Sequence, residues 1–405
     1  MPGQSDISGL PPPEILLTLP RLVAALLLLV PSFVGAQTGP PSPPDTARPP
    51  AAKPPTSTPP IDFSGIMFAH YQYRGDAAAE SANRFDVERA YLTFRMSAGD
   101  KTSIRITTDL YQQTTPGSDA YYRGWSVRAK YAYLQYNYLT DSNWRAYARL
   151  GLLQTVLIEH DEAFWPRWIG NSPTERAGFF SSADAGIANT VTLPGKKGEV
   201  YSTISNGPGY TSRETDRFKD FATRVTITPW AGVAASPLRT LALSAWGYKG
   251  ATASRFVGGG VGQRGSVGEG LARDRWGVHA ASAAPALTMA VQYASRREEG
   301  ENGSNTQASP RAVIDSTGTL LSAYALVRPV MLRRDKLHPL SFLARYDRVT
   351  TNTDSDARYD VVIAGIIWDL TSKASISLDY QEATPVRGSP VSATKTYFAH
   401  FVARF

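Results

Sequence analysis

At 405 residues and 42% hydrophobic content, with a mean hydropathy of −0.24, the chain is long enough to bury a large core but too polar for a bundle of membrane helices. It has no cysteine, which excludes disulfides, thiol catalysis and cysteine-ligated metals. A net charge of +7 favours anionic lipid or anionic solutes as partners, and the lack of any basic run argues against nucleic acid.

Arg21 precedes an apolar run, Leu22 to Val30, that closes on Val34-Gly35-Ala36. A positive flank, a short apolar core and small residues at its end predict a secretory signal peptide over residues 1–36, cleaved after Ala36, since the run is too short to span a bilayer. Export would place the chain in the bacterial envelope. Residues 37–60 read QTGPPSPPDTARPPAAKPPTSTPP. Proline at this density holds an extended, solvated chain that cannot join a sheet ladder, and predicts a periplasmic linker.

From Asp62 onward, stretches of about ten residues rich in Tyr, Val, Ile, Leu and Trp alternate apolar with polar, the mark of strands with one greasy and one wet face. Ile104, Ile106, Thr108 and Leu110 stand against Arg105, Thr107, Asp109 and Tyr111. Ala374, Ile376, Leu378 and Tyr380 stand against Ser375, Ser377, Asp379 and Gln381. In the last strand Tyr397, Ala399, Phe401, Ala403 and Phe405 share a face opposite His400 and Arg404.

Sixteen strands are predicted, near 62–73, 84–98, 102–113, 125–138, 144–153, 187–195, 198–206, 219–229, 237–249, 273–284, 286–298, 317–329, 339–350, 357–370, 373–384 and 395–405. The first, ninth and fourteenth have ambiguous facing. Links such as 97–101, 194–198 and 283–285 follow even strands and are short, whereas those around 250–272 and 299–316 follow odd strands and are long and polar. That rhythm predicts an all-β fold, a transmembrane antiparallel barrel of about sixteen strands over residues 61–405, with short periplasmic turns and long external loops. A sheet in lipid has to close, because lipid offers no hydrogen-bond partner to an open edge. Tyr71, Tyr73, Trp144, Trp276 and Trp368 near strand ends suit interfacial girdles.

Three segments carry a family resemblance: 84–94 (RFDVERAYLTF), 130–136 (KYAYLQY) and 148–151 (ARLG). They resemble the phosphate-selective porins of the O and P type, over most of residues 61–405. The resemblance implies sixteen strands, a homotrimer, and a C-terminal phenylalanine, here Phe405, read by the barrel-assembly machinery. It also implies a long third external loop folded into the lumen, here from about Leu153 to Gly186. Trp165-Pro166-Arg167-Trp168, Thr174-Glu175-Arg176-Ala177 and the stretch from Ser182 to Ile187, with Asp184, fall in it. Ala183 stands where the family carries a basic residue, and a dense run of lysine and arginine is missing. Both departures weigh against phosphate specificity.

Alternation directs Arg89, Arg95, Arg105, Arg145, Arg149, Arg224, Arg345 and Arg404 to the lumen, with Asp109, Asp347 and Asp379 on the same parity and Glu159, Asp161 and Glu162 in the loop. Guanidinium groups along a narrow aqueous passage favour anions. The expected pore-lining set is Arg89, Arg105, Arg145, Arg149, Arg167, Glu175, Arg176, Asp184, Arg224 and Arg345. A lumenal hydrolase would need a histidine constellation. The five histidines, His70, His160, His279, His338 and His400, show no nucleophile motif, and His160-Asp161-Glu162 lacks a second histidine at ligand spacing. Gly258 to Gly262 reads as a flexible linker. The sequence therefore predicts a porin passing small hydrophilic solutes without cofactor, metal or catalysis. A phosphate or polyphosphate channel stands as the alternative, and behind it a barrel-anchored surface adhesin or a lumenal hydrolase.

Overall fold

In the computed structural model, residues 61–405 are described apart from 77–82, 113–123, 142, 235, 255–269, 303–311, 332–335, 338 and 387. The expected signal peptide, the proline-rich linker, His338 and the Gly258–Gly262 run lie outside the described residues.

Strand alternation closes on itself. Sixteen antiparallel strands form one barrel: β1 (Ile61–Arg74), β2 (Arg84–Ser97), β3 (Thr102–Gln112), β4 (Trp125–Thr140), β5 (Arg145–Gln154), β6 (Ala183–Thr192), β7 (Gly198–Ser205), β8 (Asp220–Ile227), β9 (Leu241–Ala253), β10 (Gly270–Ala284), β11 (Leu287–Asn302), β12 (Ala312–Val327), β15 (Leu340–Asn352), β16 (Ala357–Asp369), β17 (Ala374–Pro385) and β18 (Thr394–Arg404). A two-residue ribbon, β13 (Val330–Met331) and β14 (Lys336–Leu337), interrupts the link between β12 and β15. Each barrel strand pairs with its predecessor in the barrel, and β1 with β18 closes the ring. Every predicted strand is present within about five residues of its expected bounds.

Hydrophobicity is turned outward. Leu150, Leu378, Val127 and Phe221 are 60%, 65%, 66% and 54% exposed on the outer face. On the inner face Asp109, Ser322, Asp347 and Ser377 are buried. The three strands with ambiguous facing share one explanation. Phe68 of β1, Trp246 of β9, and Val361 and Ile363 of β16 point inward and join one apolar cluster with Trp165, Ile169, Phe179 and Phe180 of the link after β5. Their inner faces cover another part of the chain instead of water, so both faces read as apolar.

The rhythm of link lengths needs correction. The links 98–101, 193–197, 285–286 and 370–373 are short, as expected. Those at 228–240 and 328–339 are long although they follow even barrel strands, and β15 to β16 turns in only four residues, 353–356. Asp356 completes that tight turn in the left-handed region, at φ 49°.

Closure also depends on one side-chain fit. The Phe405 ring lies over Gly65 so closely that a Cβ there would overlap it. The two residues exchange backbone hydrogen bonds of 3.1 Å, and Phe405 meets Phe63 at 5.6 Å between centroids. An aromatic covering a strand glycine shields backbone that the glycine leaves bare. Gly65→Val is expected to destabilise the barrel by about 1–3 kcal/mol through overpacking, read as a lower unfolding temperature in detergent. Adding Phe405→Ala should recover part of that loss. An additive double mutant would exclude the coupling.

Candidate functional site

The longest described link, residues 155–182 between β5 and β6, is where inward-facing side chains converge. It holds two single-turn helices, α1 (Ile158–Asp161) and α2 (Pro173–Arg176). Pro173 opens α2 with φ preset for a helix, and the Ser172 hydroxyl accepts from Glu175 N at 3.4 Å, the sequence signal of an N-cap. Trp165 donates its indole N–H to Gly170 O at 2.8 Å, and Thr174 donates to the Asp161 carboxylate at 2.6 Å. These local bonds shape the segment; the wall then fastens it.

Much of the fastening is guanidinium on backbone carbonyl. Arg345 of β15 donates to Asn171 O at 2.8 Å, stacks on Trp165 at 4.4 Å, and pairs with Asp347 at 2.5 Å. Arg224 of β8 donates to Val156 O at 2.8 Å and pairs with Glu199. Arg275 of β10 donates to Phe179 O, and Arg296 of β11 to Ala177 O at 3.3 Å. The Gln381 amide of β17 reaches Ile169 O at 2.8 Å, and Arg105 of β3 pairs with Glu159 at 3.2 Å. An arginine that serves both a carboxylate and a carbonyl uses its fork fully, which a lysine cannot match.

The expected site residues divide by surroundings. Arg224 and Arg345 point inward as alternation required, but at 5% and 2% exposure they are sealed fasteners. Arg167 is also buried, among Glu88 at 3.1 Å, Glu175 at 3.4 Å and Glu162 at 3.6 Å. Burial pulls its pKa down, but Glu175, Tyr91, Glu88 and Glu162 outweigh that and hold it above the usual arginine value. Arg176 lies 3.4 Å from the Gln381 amide oxygen, and burial with nearby Arg345 lowers its pKa. Asp184 is not in the link but on β6, where its carboxylate accepts from Ala185 N at 2.7 Å and Gly207 N at 2.6 Å. Its charge is spent on backbone, because the strand begins four residues earlier than alternation indicated.

Arg89 lies 3.4 Å from Asp109. Arg145 shares Arg149's side of β5 and is exposed at the strand start. Arg149 donates to Gln135 at 2.9 Å and Gln154 at 3.0 Å between the rings of Tyr133 and Tyr147. Arg149 and Arg105 also border open space. Cavities of about 510, 300 and 210 Å³ follow the β1–β8 side, and Glu159 lines all three.

The residues of His160-Asp161-Glu162 point to different partners. His160 meets Ser244 at 3.0 Å and the His279 ring at 5.4 Å, and Glu162 turns to Arg167. Burial, then Arg224 and His279, hold the His160 pKa well below its usual value. Burial pushes Asp161 up to about 7 and also raises Glu162.

Alternation missed Glu88 and Lys130, since both are the extra residue of a β-bulge: register skips Glu88 opposite Phe68/Ala69, and Lys130 opposite Thr107/Thr108. A bulge reverses parity beyond it, so Lys130 and Tyr131 both end buried on the inner side. It carries no local sequence signal.

Arg345→Met leaves Asp347 buried without its counter-charge, and is expected to cost about 3–5 kcal/mol and to expose residues 155–182 to protease; unchanged melting and cleavage would refute the clamp. Asp161 supplies a pH dependence. An acid with a folded pKa above its unfolded 3.8 stabilises fully below about 3.8, and loses that contribution as pH rises through about 7. Asp161→Asn, which keeps an acceptor for Thr174, should remove this fall, worth up to about 4 kcal/mol, from melting curves taken across pH 4–8.

No family model matches the chain, and no curated protein sequence matches it. Solved structures do match in fold. The anion-selective porin from Comamonas acidovorans superposes with a TM-score of 0.56 at 11% identity, covering 86% of this chain and 100% of that one. Salmonella typhi OmpF, in complex with daunomycin, gives 0.55 at 12% identity, covering 85% and 97%. The trimer form of OmpT, an outer membrane protein of Vibrio cholerae, gives 0.54 at 12% identity, covering 85% and 99%. At these identities the likeness is one of fold: the chain has the sixteen-stranded barrel architecture of outer-membrane porins.

Proposed function

We propose that the chain is a porin of the bacterial outer membrane, passing small hydrophilic solutes by diffusion. The observation that carries this reading is the inverted barrel, with an exposed apolar outer face around an inner face of arginine, aspartate, serine and threonine. Such a surface suits lipid outside and water inside. No helix among the described residues is long and apolar enough to cross a membrane, so the crossing would be made by strands.

Residues 155–182 act in this proposal as the constriction, supported by their bonds to inward side chains of β3, β8, β10, β11, β15 and β17. Arg105, Arg149 and Arg89 border the passage with Arg145 at its rim, while Arg167, Glu175, Arg176, Asp184, Arg224 and Arg345 hold its frame. A modest anion preference follows from the lumenal arginines. The resemblance to the O and P type and assembly through Phe405 and the barrel-assembly machinery belong to the same proposal, with a phosphate-specific or polyphosphate-specific channel as the alternative reading. The trimer form of the Vibrio cholerae protein supports a homotrimer.

The test is single-channel conductance of the purified protein in planar bilayers under a KCl gradient. Steady ohmic openings with a reversal potential on the anion side are expected. Glu159→Gln should shift that potential further toward anions, and replacing Arg105 and Arg149 together by Gln should shift it back, each by a factor of about 2 in permeability ratio. A barrel that inserts but carries no current would refute the channel.

A further inference from the structure

The outer face of the barrel is not uniform around its circumference. Strands β7 and β8 have 8 residues each and β5 and β6 have 10, against 16 in β4, β11 and β12. A strand of that shorter length, tilted as in membrane barrels, covers about 20 Å of height, short of the roughly 25 Å apolar band such barrels present to lipid. The aromatic girdle also breaks there. Elsewhere outward rings pair near strand ends, as Tyr71 with Phe85, Trp276 with Tyr293 and Tyr380 with Tyr397. Among the described residues of β6, β7 and β8, Phe221 is the one outward aromatic.

The same strands carry a polar row across the middle of that face. Asn189 of β6, Ser202 of β7 and Thr223 of β8 are register partners, continued by Ala148 of β5 and Gly247 of β9. They point away from the lumen, opposite in parity to the buried Tyr201 and Arg224. The row lies between two apolar ones, Ile187, Ile204 and Phe221 on one side and Val191, Val200 and Val225 on the other. Tyr138 reaches across β5 to donate to the Asn189 carbonyl oxygen at 2.8 Å, and Thr223 donates to Ser202 at 3.1 Å. The Asn189 amide donors and the Ser202 hydroxyl hydrogen find no acceptor among the described residues. Hydrocarbon offers none either, so donors left bare there cost free energy until another chain meets them.

We propose that the outer face of β6, β7 and β8 is the surface on which a second copy of this chain packs. The inference deepens the homotrimer of the channel reading and rests on it for the identity of the partner. A partner at this depth has to cross the bilayer at matching height, which a second barrel does. Around a threefold axis the same residue of each copy comes together, and asparagine carries both donors and an acceptor, so each Asn189 can serve its counterpart. The face from β5 to β9 is about 24 Å wide and about 27 Å long, roughly 650 Å², near the ~800 Å² per side of a standard interface. Small side chains along the row let two walls approach closely, and a Cβ at Gly247 would meet open space. Lipid covers the apolar rows equally well but leaves the donors of the polar row bare.

The chain has no cysteine, so a single introduced one reports alone. Full-length Ser202→Cys and Ala364→Cys, the latter outward on β16 on the far side of the ring, are oxidised in native outer membranes with copper phenanthroline. Ser202→Cys is expected to cross-link to a species of twice the chain's mass, and Ala364→Cys is expected not to. Equal cross-linking at both, a product at Ala364→Cys alone, or a Ser202→Cys product with a different protein would each overturn the assignment. A second variant needs no cysteine: Asn189→Leu with Thr223→Leu. A lipid-facing pair would gain stability from leucine, whereas at an interface the larger apolar side chains hold the copies apart. Association is therefore expected to weaken about tenfold or more, read as loss of the oligomer band in mild detergent while each barrel stays folded. An intact oligomer with a raised melting temperature would overturn the assignment, and this variant decides alone should Ser202→Cys fail to insert. A chain that is monomeric in its native membrane overturns the interface and leaves the channel reading to conductance. A Ser202→Cys dimer from a barrel without current supports the interface and refutes the channel.

Discussion

The pairing of β1 with β18 is the constraint on which everything else depends. A sixteen-stranded sheet left open would present two edges of unpaired N–H and C=O groups, and closure removes both. The seam is secured by a backbone exchange between Gly65 and Phe405 and by a ring that occupies the space a side chain at Gly65 would need. Once the ring is closed, every strand has a concave and a convex face, and alternation assigns each residue to one of them.

Residues 155–182 meet the inner wall at many points. This accounts for apolar side chains that look misplaced on a polar inner wall. Phe68, Trp246, Val361 and Ile363 face inward because they meet Trp165, Ile169, Phe179 or Phe180 there. The segment's own carbonyls, which strands would have satisfied, are met by Arg224, Arg275, Arg296, Arg345 and Gln381. The same arginines hold carboxylates on the wall, so the interior charge is largely internally matched. Lys130, re-aimed by its bulge, joins that balance, with its ammonium on the Tyr91 and Tyr131 rings and its charge acting on Glu162.

This division changes what an inward arginine means. Arg105 and Arg149 border open cavities and act on whatever enters them. Arg345 is sealed, and Arg224 is only 5% exposed although it edges the smallest cavity, so removing either would act first on the segment's position. In the proposed channel selectivity and aperture are then tied, since the charges that border its cavities and those that hold residues 155–182 belong to one network.

The sequence by itself determined the strands, their number and most of their facing. Period-two alternation is a local property, enforced wherever one face meets water and the other an apolar medium, as in Ile104 to Tyr111 and Ala374 to Gln381. The expectation of an inward segment from about 153 to 186 came from family resemblance, through the stretches around Trp165 and Thr174, and not from alternation. Only the tertiary structure decided how charges pair, because Arg345 with Asn171 and Arg105 with Glu159 are brought together by closure across long stretches of chain. It alone decided the parity breaks at Glu88 and Lys130, since a bulge reflects how two strands fit and not what either one spells. That is why Asp184 and Arg345, read locally as channel charges, are partners of backbone, while Lys130, hidden by its bulge, faces an open cavity.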